Sequence, residues 1–184
     1  MSTEPERGIP NAYLITFTCY GTWLHGDDRG SADRHRHTPG TPYLAANVGR
    51  RLSEARAMRE PPYRLDGPRR RCVLRALRDT CAVRGWRLFA AHVRSTHVHV
   101  VLASAEPPER VMTSLKAHAS RRLNEAGFDW PGSRRWTRHG STRYLWRQEA
   151  VEQAVAYVLG SQGEAMQVYD ARAEVGQDDA RPGG

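Results

Sequence analysis

The chain has 184 residues, of which 39% are hydrophobic, and a formal net charge of +8 at pH 7. This length fits one domain with an insertion or a tail, and no apolar run is long enough to span a membrane. The start of the chain, MSTEPERGIP, has acids where a signal peptide has an apolar segment, so we expect a cytoplasmic protein. The scattered cysteines form no CxxC pair, which argues against a zinc ribbon and predicts buried free thiols.

The first regular element that the sequence predicts is a strand. After a loose leader at residues 1–10, the run NAYLITFTCY at residues 11–20 is β-branched and aromatic. Residues 25–68 then form a loop-rich insertion, dense in glycine, proline and charge. The insertion contains a second His-x-His, at His35 and His37. Its central arginine and its loop setting indicate a basic cluster and not a metal site.

The middle of the chain predicts a helix, two strands and another helix. Residues 68–84 have an apolar stripe at helical spacing, and residues 108–125 repeat this spacing. Between them, residues 86–94 and 97–103 are apolar strands that a tight connection joins into an antiparallel hairpin. Other faces of the two helices are basic, and a GC-rich genome would explain arginine over lysine but not base over acid. We predict that these side chains bind a nucleic-acid backbone: Arg71, Arg75, Arg78, Arg110, Lys116, Arg121 and Arg122.

The last third of the chain predicts strands, a helix and a tail. Residues 134–146 are interpreted as two short strands around a turn at Gly140, and residues 148–160 as a helix. Residues 166–184 predict a disordered tail, so that the domain spans residues 11–165. This order of elements predicts an α+β fold, a ferredoxin-like antiparallel sheet with helices on one face.

The triplet His97-Val98-His99 opens the second strand of the hairpin. Side chains alternate along a strand, so both histidines leave from one face while Val98 enters the core. Two imidazoles side by side on a rigid strand make a two-point metal seat. The alternative is a strand with two incidental histidines.

Tyr157 lies at the margin of the last predicted helix. At about 100° per residue, the apolar residues of that helix fall in one arc, and Tyr157 falls just outside it. Its hydroxyl group can therefore reach outward at the rim of the domain. The alternative is a ring that only packs at the margin of the core. Tyr144 is the rival nucleophile, although an aromatic residue in a predicted strand more often packs or stacks on bases.

The run AAHVRSTHVHVVLAS, followed by a helix with a tyrosine near the end of the domain, resembles the HUH single-tyrosine transposases. These are small transposases of bacterial insertion sequences and their REP-associated relatives. The family pattern has His-apolar-His on a strand, which residues 97–99 match. It also has a helix with Tyr-Ile/Val-x-x-Asn/Gln, which YVLGSQ at Tyr157 approximates. Thr96 departs from the pattern, because the family often has asparagine before the first histidine. The resemblance covers about residues 11–165.

This resemblance implies a chemistry for the histidines and the tyrosine. His97 and His99 would hold Mg²⁺ or Mn²⁺, which polarises the scissile phosphate. Tyr157 would attack the phosphorus and leave a 5′-phosphotyrosine and a free 3′-hydroxyl group. The implied substrate is single-stranded DNA next to a hairpin, which makes the protein nucleoid-associated. The family also suggests a homodimer, in which Tyr157 serves either its own chain or the partner.

The third metal ligand and the overall activity remain open in the sequence. Gln162 comes one residue later than the family's third ligand, and it reaches the site only if the helix uncoils at Gly160. Gln153, one turn before Tyr157, is the rival ligand. A catalytically inactive hairpin-DNA binding module is the alternative function. A metal hydrolase that uses the two histidines with an acid is a further alternative, although no paired acids stand close to the triplet.

Overall fold

The computed structural model describes residues 9–22, 60–161 and 164–178. Its strands are β1 (Ala12–Cys19), β2 (Arg87–Val93), β3 (His97–Ala103), β4 (Trp136–Leu145) and β5 (Gln167–Asp170). Its helices are α1 (Gly67–Arg84), α2 (Pro108–Glu125), α3 (Gln148–Gly160) and α4 (Ala171–Asp178). Most of the predicted insertion, with His35 and His37, lies outside these ranges.

The strands form one antiparallel sheet in the order β4-β1-β3-β2-β5. From β1 to β4 the chain alternates as strand, helix, strand, strand, helix and strand, which is the ferredoxin-like succession. The predicted α+β class is therefore confirmed, and β5 extends the sheet beyond β2. Of the helices in the described ranges, none is both long enough and apolar enough to cross a membrane.

Helices cover both faces of the sheet. On one face, side chains such as Phe17 and Val100 pack with α1 and α2 in the larger hydrophobic cluster. On the other face, Ala12 and Val101 pack with the apolar side of α3. The prediction of helices on one face thus holds for α1 and α2, while α3 departs from it. The reason is that one end of β1 and β3 is apolar on both sides, so the second side also needs a cover.

Strand β4 is continuous where the sequence predicted two short strands around a turn. Gly140 pairs with Phe17 within the ladder between β1 and β4. A Cβ atom on Gly140 would collide with Met112 Sδ and would lie 2.5 Å from the carbonyl oxygen of Thr16. The glycine is therefore required by close packing and not by a turn. The pairing of β1 with β4 is irregular at a different position, between Phe17 and Cys19 of β1, where the register shifts.

The fold continues past residue 165, where the sequence predicted disorder for residues 166–184. Strand β5 pairs with β2 at the edge of the sheet, and α4 follows it. The guanidinium carbon of Arg78 lies 4.8 Å from the ring centre of Tyr169. Arg78 also forms an ion pair with Glu174 in α4. Pairing with the free edge of β2 orders this polar segment. Its local composition gives no sign of that pairing.

The cysteines are free thiols, as predicted. Cys19 and Cys81 are buried and Cys72 is partly buried. Burial raises the pKa of the Cys19 thiol to about 12 and that of the Cys81 thiol to about 12. These two cysteines are therefore protonated packing residues at neutral pH.

Candidate functional site

The structure brings His97, His99 and Tyr157 together within one chain. The rings of His97 and His99 lie edge to face, with centroids 4.8 Å apart. Tyr157, on α3, packs its ring against His99, with the two centroids 6.1 Å apart. His99 is 6% exposed and Tyr157 is 45% exposed. The two histidines thus lie on the sheet, and Tyr157 lies beside them at the exposed margin of α3. The position of Tyr157 on the predicted helix indicated this exposure.

Threonine hydroxyl groups orient both imidazoles. Thr16 is the register partner of His99, and its Oγ1 lies 2.8 Å from His99 Nδ1. Thr96 Oγ1 lies 3.0 Å from His97 Nδ1. When these oxygens accept Nδ1–H, the lone pair of each ring is on Nε2, which is the form that binds a metal ion. Thr96, which departs from the family pattern, thus gives the first histidine a hydrogen-bonding partner.

His92 is a functional candidate that the sequence reasoning missed. It lies on β2 opposite His99 and is fully buried. Its Nδ1 donates a hydrogen bond to the carbonyl oxygen of Val158 at 3.0 Å, and its Nε2 accepts one from Met166 N at 3.2 Å. Both bonds require the neutral ring, and burial lowers the pKa of His92. His92 therefore fixes α3 to the sheet at the residue after Tyr157.

The sheet face beside the histidines is polar and only partly covered. Thr18 is the register partner of His97, and its hydroxyl oxygen lies 3.0 Å from that of Thr137. Ser141, opposite Thr16 on β4, is exposed. These hydroxyl groups can donate hydrogen bonds to an oxygen-rich ligand such as a phosphate.

His97 and His99 offer two imidazole groups that could serve as metal ligands. Among the described residues, no group of three His, Cys, Asp or Glu side chains could hold a metal ion. Helix α3 ends at Gly160, so Gln162 follows the helix, but Gln162 itself lies outside the described residues. Gln153 is exposed on α3. Imidazole is a softer ligand than Mg²⁺ prefers, so this donor set fits Mn²⁺ better of the two expected ions.

The predicted DNA-binding residues lie on α1 and α2, away from the histidine pair. Arg78 pairs with Glu174, and Arg122 pairs with Asp79 and with Glu125. The remaining arginines of that set are exposed: Arg71, Arg75, Arg110 and Arg121. Because α1 and α2 cover the opposite face of the sheet, the structure does not bring this set to the tyrosine.

Lys116 has a structural environment. Its Nζ donates hydrogen bonds to the carbonyl oxygens of Thr137 and His139, at 3.0 and 3.1 Å. It also lies 5.5 Å from the ring centre of Phe17. Burial lowers the pKa of Lys116 to about 8. The lysine is partly buried and fixes the irregular part of β4, and its contact with DNA stays a prediction.

Tyr144, the rival nucleophile, lies elsewhere. Its register partner is Tyr13, whose side chain belongs to the face of the sheet that α1 and α2 cover. The ring of Tyr144 contacts Tyr13 edge to face and stacks on Trp146. The structure therefore brings Tyr157, and not Tyr144, to the histidines.

No protein-family model matches the chain, and no curated protein matches it. Among solved structures, the chain is similar to one described as "Structure of the REP associates tyrosine transposase bound to a REP hairpin". The two share 12% sequence identity, and the TM-score is 0.44 over 86% of this chain and 71% of the other. A similarity of this size carries no argument about function, which must rest on the residues and their geometry.

Proposed function

We propose that this protein cleaves and rejoins single-stranded DNA next to a hairpin through a covalent tyrosine intermediate. The observation that supports the proposal is the contact between Tyr157 and His99, with ring centroids 6.1 Å apart, beside His97. The tyrosine is accessible to a DNA strand, while the imidazoles are held by threonine hydroxyl groups. The resemblance of these residues to the HUH single-tyrosine transposases supports the same reaction.

The reaction exchanges one phosphodiester for another. The phenol oxygen of Tyr157 attacks the phosphorus, a phosphotyrosine bond forms, and the bond to the 3′-oxygen of the leaving strand breaks. The phenol proton is balanced by the proton that the leaving 3′-oxygen takes up. Because the phosphoester bond is conserved, a second 3′-hydroxyl group can reverse the step and join strands without water or ATP.

A divalent ion at His97 and His99, Mn²⁺ or Mg²⁺, would supply charge neutralisation at the scissile phosphate. The two histidines would bind it through Nε2, and Thr16 and Thr96 would keep their rings oriented. Gln162 is the proposed third ligand, since it follows the end of α3. The proposed assembly is a homodimer on hairpin DNA.

A labelled hairpin oligonucleotide with a single-stranded flank tests the proposal. We expect a covalent protein–DNA adduct with Mn²⁺ that resists denaturing electrophoresis and is lost in Tyr157→Phe. Tyr169→Phe is the matched control, since it removes a hydroxyl group from β5, on the far side of β2, and should keep the adduct. An adduct that survives Tyr157→Phe but disappears in Tyr144→Phe would overturn the assignment.

An inactive hairpin-binding module is the second candidate. It would bind the hairpin through exposed arginines such as Arg71, Arg75, Arg110 and Arg121, without metal or tyrosine chemistry. Tight hairpin binding without any adduct in Mn²⁺ would establish the binding module. Hydrolysis without a covalent intermediate would instead establish a metal hydrolase.

A further inference from the structure

We propose that Tyr144 and Trp146 form a base-stacking site for single-stranded DNA at the edge of the sheet. The proposal rests on the proposed function, because it assigns a second contact to the same DNA strand. The site lies on and just after β4, next to the start of α3. None of the residues in the predicted DNA-binding set belongs to it.

The two rings are stacked and accessible. Tyr144 is 44% exposed and Trp146 is 46% exposed. Their ring centroids are 5.9 Å apart, with an angle of 12° between the planes. Tyr13, which is buried, supports Tyr144 with an edge-to-face contact at 5.3 Å. An aromatic pair that is ordered from below yet open to water presents a flat apolar surface, and every base has a π-face that stacks on such a surface.

The charge beside the rings matches a nucleic acid. Arg143 precedes Tyr144 and Arg147 follows Trp146, and both arginines are exposed. Across the described ranges, neither forms an ion pair with a carboxylate. Positive charge that no acid neutralises, interleaved with aromatic rings, is the composition of single-strand binding surfaces. A contact between two copies of this chain would instead bring these arginines against each other.

The spacing suits one continuous strand between this site and the nucleophile. Trp146 lies just before α3, and a rise of about 1.5 Å per residue places Tyr157 about 14 Å beyond Gln148. A stacked strand advances about 3.4 Å per nucleotide, so that about four nucleotides span this length of helix. Tyr144 projects from the opposite face of the sheet to the histidines, so the DNA strand would also pass around the edge strand β4, and the separation is at least about four nucleotides. Arg143 alternates with Tyr144 and pairs with Leu14, which puts it on the sheet face of the histidines. It can therefore contact phosphates along this path.

Hairpin oligonucleotides with 2-aminopurine at successive positions of the single-stranded flank test the site. In the wild type we expect fluorescence quenching at one position, at least about four nucleotides from the cleaved phosphate. Trp146→Leu should abolish this quenching and weaken binding about ten-fold, and Tyr144→Leu should act in the same direction. The matched control is Trp130→Leu, which removes an even more exposed indole outside β4 and should change neither quantity.

An abasic flank separates stacking from charge. Removing the base at the quenched position keeps every phosphate, so the wild type and Trp146→Leu should then bind with equal affinity. If Trp146→Leu weakens the normal and abasic strands equally, the contact is not stacking and the proposal is overturned. Because both substituted side chains are exposed, thermal unfolding should show that the variants remain folded.

Failure of this site and failure of the proposed function give different results. Quenching that depends on Trp146, without any adduct, would support the stacking site and reject the strand-transfer activity. Adduct formation with unchanged affinity in Trp146→Leu would support the activity and reject the stacking site. A wild-type dimer that Trp146→Leu converts to a monomer, with DNA binding unchanged, would overturn the site by showing an interface between copies.

Discussion

The two faces of the sheet use alternate residues of the same strands for different purposes. On β3, Val98 and Val100 are fully buried beneath α1 and α2. Their neighbours His97 and His99 project from the other face toward Tyr157. Helix α3 covers the apolar end of that face, and at the histidine end its Tyr157 is exposed beside the buried His99. One short strand thus specifies both core and site, because alternate residues do not share neighbours.

The arginines differ between regions in a related way. On the helical face, Arg78 and Arg122 have carboxylate partners. Beside β4, Arg143 and Arg147 have none within the described part of the chain. Surface ion pairs of the first kind contribute little stability, but they neutralise charge that a phosphate would otherwise meet. Pairing thus separates Arg78 and Arg122 from Arg143 and Arg147. On the same helices, Arg71, Arg75, Arg110 and Arg121 are exposed and also have no carboxylate partner among the described residues, so they remain candidates for DNA contact.

The largest expected effect is that substitutions at two adjacent residues, His97→Ala and Val98→Ala, change different properties: the first the rate of adduct formation, the second the free energy of unfolding. We expect His97→Ala to slow adduct formation about a hundred-fold or more, because a metal ion supplies several kcal/mol to the transition state. Val98→Ala should lower the free energy of unfolding by about 2 kcal/mol through lost burial and a cavity, with little change in adduct rate. Adduct kinetics and urea unfolding of both variants measure this. If each substitution changed both quantities equally, the faces would not be independent.

Gly140→Ala should disturb the packing of β4 against β1 and α2. The added Cβ meets Met112 Sδ and the backbone oxygen of Thr16, and backbone cannot give way easily. We expect the free energy of unfolding to fall by about 3 kcal/mol, as for overpacked cores. Gly160→Ala is the control, since its Cβ would meet nothing within 4 Å. Equal urea midpoints for the two variants would refute the close packing at Gly140.

Thr16→Val should affect the site face alone. It removes the hydroxyl group that lies 2.8 Å from His99 Nδ1 and keeps the side-chain shape. We expect Mn²⁺ affinity, measured by calorimetry, to fall about ten-fold, as for other groups that orient metal ligands. Thr113→Val, whose hydroxyl group donates to Glu109 O on α2, should leave Mn²⁺ affinity unchanged. If both variants lost the same Mn²⁺ affinity, the loss would not come from the hydroxyl group of Thr16, and the prediction would be wrong.

The smallest expected effect is a change in the pH dependence of stability. The pKa of His92 is lowered in the folded protein, so the unfolded chain binds more protons below about pH 6.5. The free energy of unfolding should therefore decrease as pH falls from about 7 to 5. His92→Asn keeps an N–H group near Val158 O and does not titrate, so its slope over this window should be shallower. His118→Asn on α2 is the control, and a slope lost there as well would argue against His92.

The elements themselves were predictable because their signals are local. Helix α1 begins after Asp66, whose side chain accepts a hydrogen bond from Arg69 N, and ends at Gly85 with φ of 67°. The alternation in β3 placed Val98 inward and the histidines outward. Tyr157 fell at the edge of a helical stripe that can be read from the sequence. Each of these inferences needs only a few neighbouring residues.

What the sequence did not disclose depends on partners that are distant along the chain. Thr16 and His92 reach His99 only through strand register, which no single strand specifies. The side of the sheet that α3 covers depends on which apolar patch the other helices leave open. Lys116 lies among the basic residues of its helix in the sequence, yet its ammonium group donates hydrogen bonds to carbonyl oxygens of β4. Local periodicity cannot supply such pairings.

The contact between Tyr157 and His99 within one chain determines whether two defective copies can complement each other. If the reaction runs on this arrangement, one polypeptide carries a complete set of reacting groups. Two defective copies, one without the histidine and one without the tyrosine, would not restore each other when mixed. In the proposed homodimer, each chain would then act through its own histidines and its own tyrosine.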